Sequence, residues 1–280
     1  MKHMIWAFIS VTVALLAGCS QSDYPQDSPE ATIASARKMV EAGEAKQLHT
    51  LIYAEDENMR ALVSRSGKLL GHLEQLAVAI SAKFPKEVVQ LRTRAQAAAA
   101  AGQSTNIVGQ FAKNLRSQSR QVRNGPPVGE DRRAFDDAAI RVFADPYAFL
   151  RESEGKISSV PLNDDMAALM WEGKPILPPI GLTMKRDDAG KWYFLLPTSA
   201  PALAGYMPKS AEQYELAGKL FVVLDKTVMD LTKEVESGRI ATIEGVSRRA
   251  GEMTFVPAVL VMYAYAKYEK SQTPVKAGGG

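Results

Sequence analysis

The chain has 280 residues, and its 34 lysines and arginines against 31 aspartates and glutamates give a formal net charge of +3. This near-equal number of basic and acidic residues argues against a nucleic-acid-binding protein. The single cysteine excludes an internal disulfide and a cysteine-based metal site. Hydrophobic residues make up 46% and charged residues 23%, as is ordinary for a soluble globular chain. We therefore expect one large or two small domains, stabilised by packing alone.

The first eighteen residues have the composition of a secretory signal peptide. Lys2 and His3 precede an apolar stretch at 5–16, and the small residues Ala17 and Gly18 follow it. The stretch is shorter than the ~20 apolar residues that a membrane-spanning helix needs. We therefore expect residues 1–18 to be a signal peptide that is removed from the mature protein.

The only cysteine closes this segment, in the run Leu15-Leu16-Ala17-Gly18-Cys19. The run resembles the lipobox of bacterial lipoproteins. This resemblance implies that Cys19 carries a diacylglycerol and becomes the first residue of a mature protein anchored to the cell envelope. Because Ser20 replaces the aspartate that favours inner-membrane retention, the outer membrane is favoured in a Gram-negative cell. The alternative is an ordinary signal peptide with a chance cysteine at its cleavage site.

The region 29–155 has the apolar spacing of helices. Residues 19–28 before it are polar, and we expect them to form a tether. Ser28-Pro29-Glu30 is typical of a helix start, and Gly43 is typical of a helix end. Apolar residues at helical spacing predict further helices at 45–53, 57–84, 85–102, 105–122 and 133–149.

Residues 156–205 are expected to form a sheet region, with a small antiparallel sheet at about 156–197. Asp187-Asp188-Ala189-Gly190 has the composition of a hairpin turn. Pro175, Pro178 and Pro179 predict an irregular or edge path before the third strand. Short runs rich in β-branched and aromatic residues predict strands at 156–162, 167–171, 180–186 and 192–196.

Helical spacing returns over 206–268, and we expect a disordered tail at 269–280. Ser210 and Gln213 have the spacing of a capping box, and the helix that they begin is predicted to end at Gly238. A short helix after Thr242 and a buried helix over 255–265 should follow. The whole pattern predicts an α+β fold, mainly α-helical, whose sheet packs with N-terminal and C-terminal helices.

The runs Pro29-Glu30-Ala31 and Val40-Glu41-Ala42-Gly43-Glu44, residues 48–52, and the strand at Gly190-Lys191-Trp192-Tyr193-Phe194 resemble NTF2-like (cystatin-like) domains of bacterial lipoproteins. The resemblance implies a curved sheet that encloses a cavity. A long helical insertion and a helical C-terminal part depart from that family. On such a sheet Trp171, Trp192 and Tyr193 are candidate pocket residues; core packing is the alternative.

A second candidate site is a basic stripe. Lys113, Arg116, Arg120 and Arg123 recur at spacings of three or four residues, so they share one face of a predicted helix. Such a stripe suits contact with anionic lipid headgroups, and a solvated helix face is the alternative.

The sequence carries no motif of a specific catalytic chemistry. Neither His49 nor His72 has a carboxylate at metal-ligand spacing, and neither a Gly-x-Ser-x-Gly elbow nor a phosphate-binding glycine loop occurs. We expect no metal and no cofactor. The predicted function is a lipid-anchored, non-enzymatic structural or binding module with an envelope protein as partner. The alternative is a small-ligand-binding or enzymatic domain with an NTF2-like cavity between sheet and helices.

Overall fold

In a computed structural model the protein is mainly helical, and its small antiparallel sheet packs with helices from both ends of the chain, which confirms the predicted α+β class. The structure describes residues 23–100, 140, 143–151, 154–176, 181–196 and 207–272. Their elements are α1 (Pro29–Glu41), a 3₁₀ helix (Ala45–Leu51), α2 (Glu57–Lys83), α3 (Pro85–Ala100), α4 (Ala148–Arg151), β1 (Ile157–Asn163), β2 (Met166–Trp171), β3 (Lys174–Pro175), β4 (Thr183–Arg186), β5 (Trp192–Leu195), α5 (Ala211–Glu236) and α6 (Ile243–Gln272).

Side-chain caps fix where three of the helices begin. Ser28, Asp56 and Ser210 each accept a hydrogen bond from the backbone N–H three residues further on. Gly43 and Gly238 follow the ends of α1 and α5 with φ of 73°, a conformation that glycine adopts without steric cost. The predicted starts and ends of these helices are therefore confirmed.

Helices α2 and α5 run parallel to each other. The side chain of Arg65 covers Gly218, and seven residues further along both helices His72 Nδ1 lies 2.5 Å from Asp225 Oδ1. Two parallel neighbours cannot be joined by a short turn, so the sheet lies in the long connection between them. Helix α6 then packs back along α5.

The main core lies between α2, α5 and α6. Burying an aliphatic side chain of this kind contributes about 1.5–3 kcal/mol to stability. The most deeply buried members are Leu76, Ile80, Leu231, Val235 and Val246. This core fixes the three long helices.

The sheet has the strand order β1-β2-β4-β5, with β3 paired to β2. Strands β1, β2, β4 and β5 confirm the four predicted strands to within a few residues. The two-residue strand β3 was not predicted; its Pro175 pairs with Met170, in the part of β2 that continues beyond Thr183, the first residue of β4. The predicted hairpin turn is confirmed, because Gly190 donates to the carbonyl of Asp187 at 2.9 Å and has φ of 81°.

The C-terminal helix differs from its prediction. A single helix, α6, replaces the two predicted ones, and it contains Pro257 and extends past 268 to Gln272. A proline inside a helix removes one hydrogen bond and can bend the helix without ending it. The expected burial of 255–265 is wrong at Val256, Leu260 and Tyr263, which are 60%, 63% and 68% exposed. In the described ranges no helix has the length and apolarity that crossing a bilayer requires.

The predicted helix over 133–149 is also interrupted. A turn at 145–147 precedes α4, which begins at Ala148. Pro146 explains the break, because a proline disfavours helical geometry at the residue before it. The rest of that prediction, and the predicted helix over 105–122, lie outside the described residues.

Candidate functional site

The inner face of the sheet is covered by helix α1. Ile33 of this helix packs against Leu169 of β2 and Met184 of β4, whose side chains point to the inner face from neighbouring strands. Trp171 and Trp192 pack, half-buried, against the same cluster. Both predicted pocket tryptophans thus lie in the packing between α1 and the sheet, but at opposite ends of the sheet, because Trp192 pairs with Arg186 before β2 begins and Trp171 ends β2.

Tyr193 lies on the other face of the sheet. Consecutive side chains of a strand point to opposite faces, so Tyr193 and Trp192 lie on different sides of the sheet. Its ring meets the ring of Tyr53 edge to face, with 6.1 Å between the centroids and 66° between the planes. The three candidate pocket residues are therefore divided between the two faces.

A cleft of about 410 Å³ lies at the β4–β5 hairpin. Tyr53 reaches it from the chain just after the 3₁₀ helix, where its backbone N–H donates to the carbonyl of Phe194 at 2.9 Å. Sequence reasoning missed this site, because Tyr53 and the hairpin meet only through tertiary pairing. The lining residues are Tyr53, Asp165, Lys185, Arg186, Asp187, Asp188 and Gly190.

A charged side chain meets an aromatic ring in this cleft, and Tyr193 packs against that ring. Lys185 Nζ lies 4.4 Å from the ring centroid of Tyr53, and a hydrogen bond to Tyr53 is the main reason that the pKa of Lys185 is raised. Burial raises the pKa of Tyr193, and a hydrogen bond to Asp187 adds to the shift. At neutral pH Lys185 therefore stays charged and Tyr193 stays neutral.

Other titratable groups serve packing between elements. Tyr147 donates to the carbonyl of Leu70 at 2.6 Å, and burial raises its pKa. Arg249 binds both carboxylate oxygens of Glu234, at 2.9 and 3.1 Å, and this pairing lowers the pKa of Glu234. These contacts tie the turn before α4 to α2, and α6 to α5.

Burial raises the pKa of Glu74 on α2, although its carboxylate accepts the Ala45 N–H at 3.3 Å. Because the folded pKa lies above the unfolded one, the stability of the protein falls as pH rises through this interval. Glu74→Gln keeps an acceptor oxygen without a charge. We expect this variant to have a higher urea unfolding midpoint than the parent at pH 7, and a smaller gain near pH 4.

The control for this prediction is Glu87→Gln, at an exposed position of α3, which should show no such gain. A lower midpoint of Glu74→Gln at pH 7 would mean that the ionised carboxylate stabilises Ala45 more than its burial costs. The same urea titrations give both results.

The remaining predicted site residues lie outside the described residues: Cys19, Lys113, Arg116, Arg120 and Arg123. Lipid contact by the basic stripe therefore stays a prediction. Within the part of the chain that the structure describes, no three His, Cys, Asp or Glu residues are placed to hold a metal ion.

Compared with known proteins, the chain matches no family model, no curated protein and no solved structure. Its function must be inferred from its own residues.

Proposed function

We propose that the chain is an exported lipoprotein, a non-enzymatic binding or structural module held at the cell envelope by a diacylglycerol on Cys19. The observation that carries this proposal is the run Leu15 to Cys19, which places the only thiol directly after an apolar segment and two small residues. Ser20 favours the periplasmic face of the outer membrane in a Gram-negative cell. An envelope protein is the expected partner.

The chain is bound to the folded domain from Asp23 onward, so a lipid on Cys19 would lie close to that domain. The carbonyl of Asp23 accepts Lys38 Nζ at 3.0 Å, and the carbonyl of Pro25 accepts Ser35 Oγ at 2.7 Å. Gln26 pairs with Trp192 on β5 through its carbonyl at 2.7 Å and its amide at 3.0 Å. Within the expected tether over 19–28, residues 23–26 therefore contact α1 and β5, and the first of these contacts comes four residues after Cys19.

A tether this short limits how far the fold can move from an anchor. The step from Cys19 to Asp23 spans four residues, which reach about 14 Å when fully extended. A lipid on Cys19 would thus keep α1 and the start of β5 close to the bilayer surface. This favours a module that acts beside the membrane.

The electrostatics of the cleft favour binding over catalysis. A general acid or base works best when its pKa lies near the operating pH. The pKa values of Lys185, which lines the cleft, and of Tyr193, which packs against Tyr53, are both shifted upward, away from neutrality. Both groups are therefore poorly suited to proton transfer at neutral pH.

Mass spectrometry of the N-terminal peptide tests the anchor. In protein extracted from membranes of the native host, we expect a peptide that begins at Cys19 and carries the mass of a thioether-linked diacylglycerol. Treatment with a lipoprotein lipase should remove the ester-linked acyl mass. A mature chain with an unmodified Cys19 thiol, or one that begins after Cys19, would contradict the proposal and indicate an ordinary secreted protein.

A further inference from the structure

The cleft at the β4–β5 hairpin holds charges of both signs. Its cations are Lys185 and Arg186, and its acids are Asp165, Asp187 and Asp188. Among the described residues, no ion pair joins any of these acids to either cation. Opposite charges thus line one open site without a direct ion pair between them.

Two of these side chains have partners inside the protein. Asp187 Oδ1 accepts the backbone N–H of Lys191 at 2.8 Å, which closes the hairpin turn. Lys185 lies over the ring of Tyr53. Arg186, Asp165 and Asp188 are therefore the groups left to meet a ligand.

The backbone holds these three groups near each other. The N–H of Arg186 donates to the carbonyl of Asp165 at 2.8 Å, so both residues start from adjoining points of the sheet. The guanidinium of Arg186 lies along the turn, with Nη2 3.5 Å from where a side chain on Gly190 would begin. Asp188 lies in the same turn.

We infer that this cleft binds a small zwitterion with one carboxylate and one ammonium group, such as a free amino acid or a short peptide. The guanidinium of Arg186 matches a carboxylate in two parallel hydrogen bonds, and the carboxylates of Asp165 and Asp188 match an ammonium. The ring of Tyr53, which lines the cleft, offers an apolar surface to the body of the ligand.

Ligands of a single charge fit less well. Three carboxylates against two cations give the lining a formal charge of about −1, which disfavours a simple anion. Lys185 and Arg186 disfavour a simple cation. The volume of about 410 Å³ is in the range of small-molecule sites and accommodates a dipeptide. This inference goes beyond the proposed anchor and does not depend on acylation of Cys19.

Calorimetric titration of the full chain, purified in a non-ionic detergent, tests the inference. The probes are a panel of free amino acids and dipeptides, with the N-acetylated and the amidated form of each. We expect at least one zwitterion to bind, and blocking either its ammonium or its carboxylate to weaken binding about tenfold or more.

Matched variants locate the binding. Asp165→Asn, Asp188→Asn and Arg186→Gln should each weaken binding about tenfold or more. Asp164→Asn and Lys191→Gln, at neighbouring exposed positions outside the lining, should leave it unchanged. Equal unfolding midpoints across the set show that each variant is folded.

Three results would overturn the inference. The first is that no member of the panel binds the parent chain. The second is that a blocked probe binds as tightly as its zwitterion. The third is that Asp164→Asn weakens binding as much as Asp165→Asn does.

Discussion

Replacing Cys19 with serine is expected to remove all fatty-acid label from the protein. The thiolate is the nucleophile that a thioether requires, and a hydroxyl at the same place does not replace it. Since the chain has no other cysteine, no second residue can take the lipid. Growth with labelled palmitate, followed by isolation of the protein, measures the effect.

Two control variants separate the position of the thiol from its presence. Ser20→Ala leaves the run up to Cys19 intact and should keep the label. Cys19→Ser combined with Ser20→Cys retains one thiol but places it two residues after Gly18 instead of one, and we expect no label. Label is the readout rather than sedimentation with membranes, because an uncut apolar segment also binds lipid. A labelled Cys19→Ser protein would refute the proposal.

The parts of the fold that the sequence predicts well are those with local causes. Ser28 and Ser210 cap helices through N–H groups three residues away, and Gly190 closes a four-residue turn. Each signal and its structural effect lie within one turn of chain. A single sequence therefore predicts these boundaries without any knowledge of tertiary packing.

The parts that it predicts poorly depend on distant residues. Nothing near Tyr53 indicates that it will pair with Lys185, because their contact requires the chain after the 3₁₀ helix to meet β5. The continuation of α6 through Pro257 likewise has no local signal. A proline predicts lost hydrogen bonding, but whether the helix bends or ends depends on what packs around it.

The division of the candidate pocket residues between two faces follows from the sequence. Trp192 and Tyr193 are consecutive in a predicted strand, and consecutive side chains point to opposite faces. Alternation alone therefore predicts that they point to opposite faces of the sheet. What the sequence does not reveal is which face α1 covers, since that depends on Ile33 packing against Leu169 and Met184.

Gly67→Ala is expected to destabilise the protein by about 1–3 kcal/mol, the usual cost of overpacking a tight contact. Gly67 lies buried on α2, where the 3₁₀ helix crosses it. A Cβ there would lie 2.4 Å from His49 Nδ1 and 2.8 Å from the carbonyl oxygen of Lys46. The ring can turn, but the carbonyl belongs to the 3₁₀ helix and can move only with it. Urea unfolding measures the loss.

Gly251→Ala is the matched control, because a Cβ added to this exposed glycine of α6 would meet no other atom within 4 Å. Alanine favours a helix over glycine by about 0.5–1 kcal/mol at either site, so the control should stabilise the protein. The difference between the two variants therefore isolates the contact between α2 and the 3₁₀ helix. If Gly67→Ala is as stable as Gly251→Ala, the 3₁₀ helix does not pack on α2 at this distance.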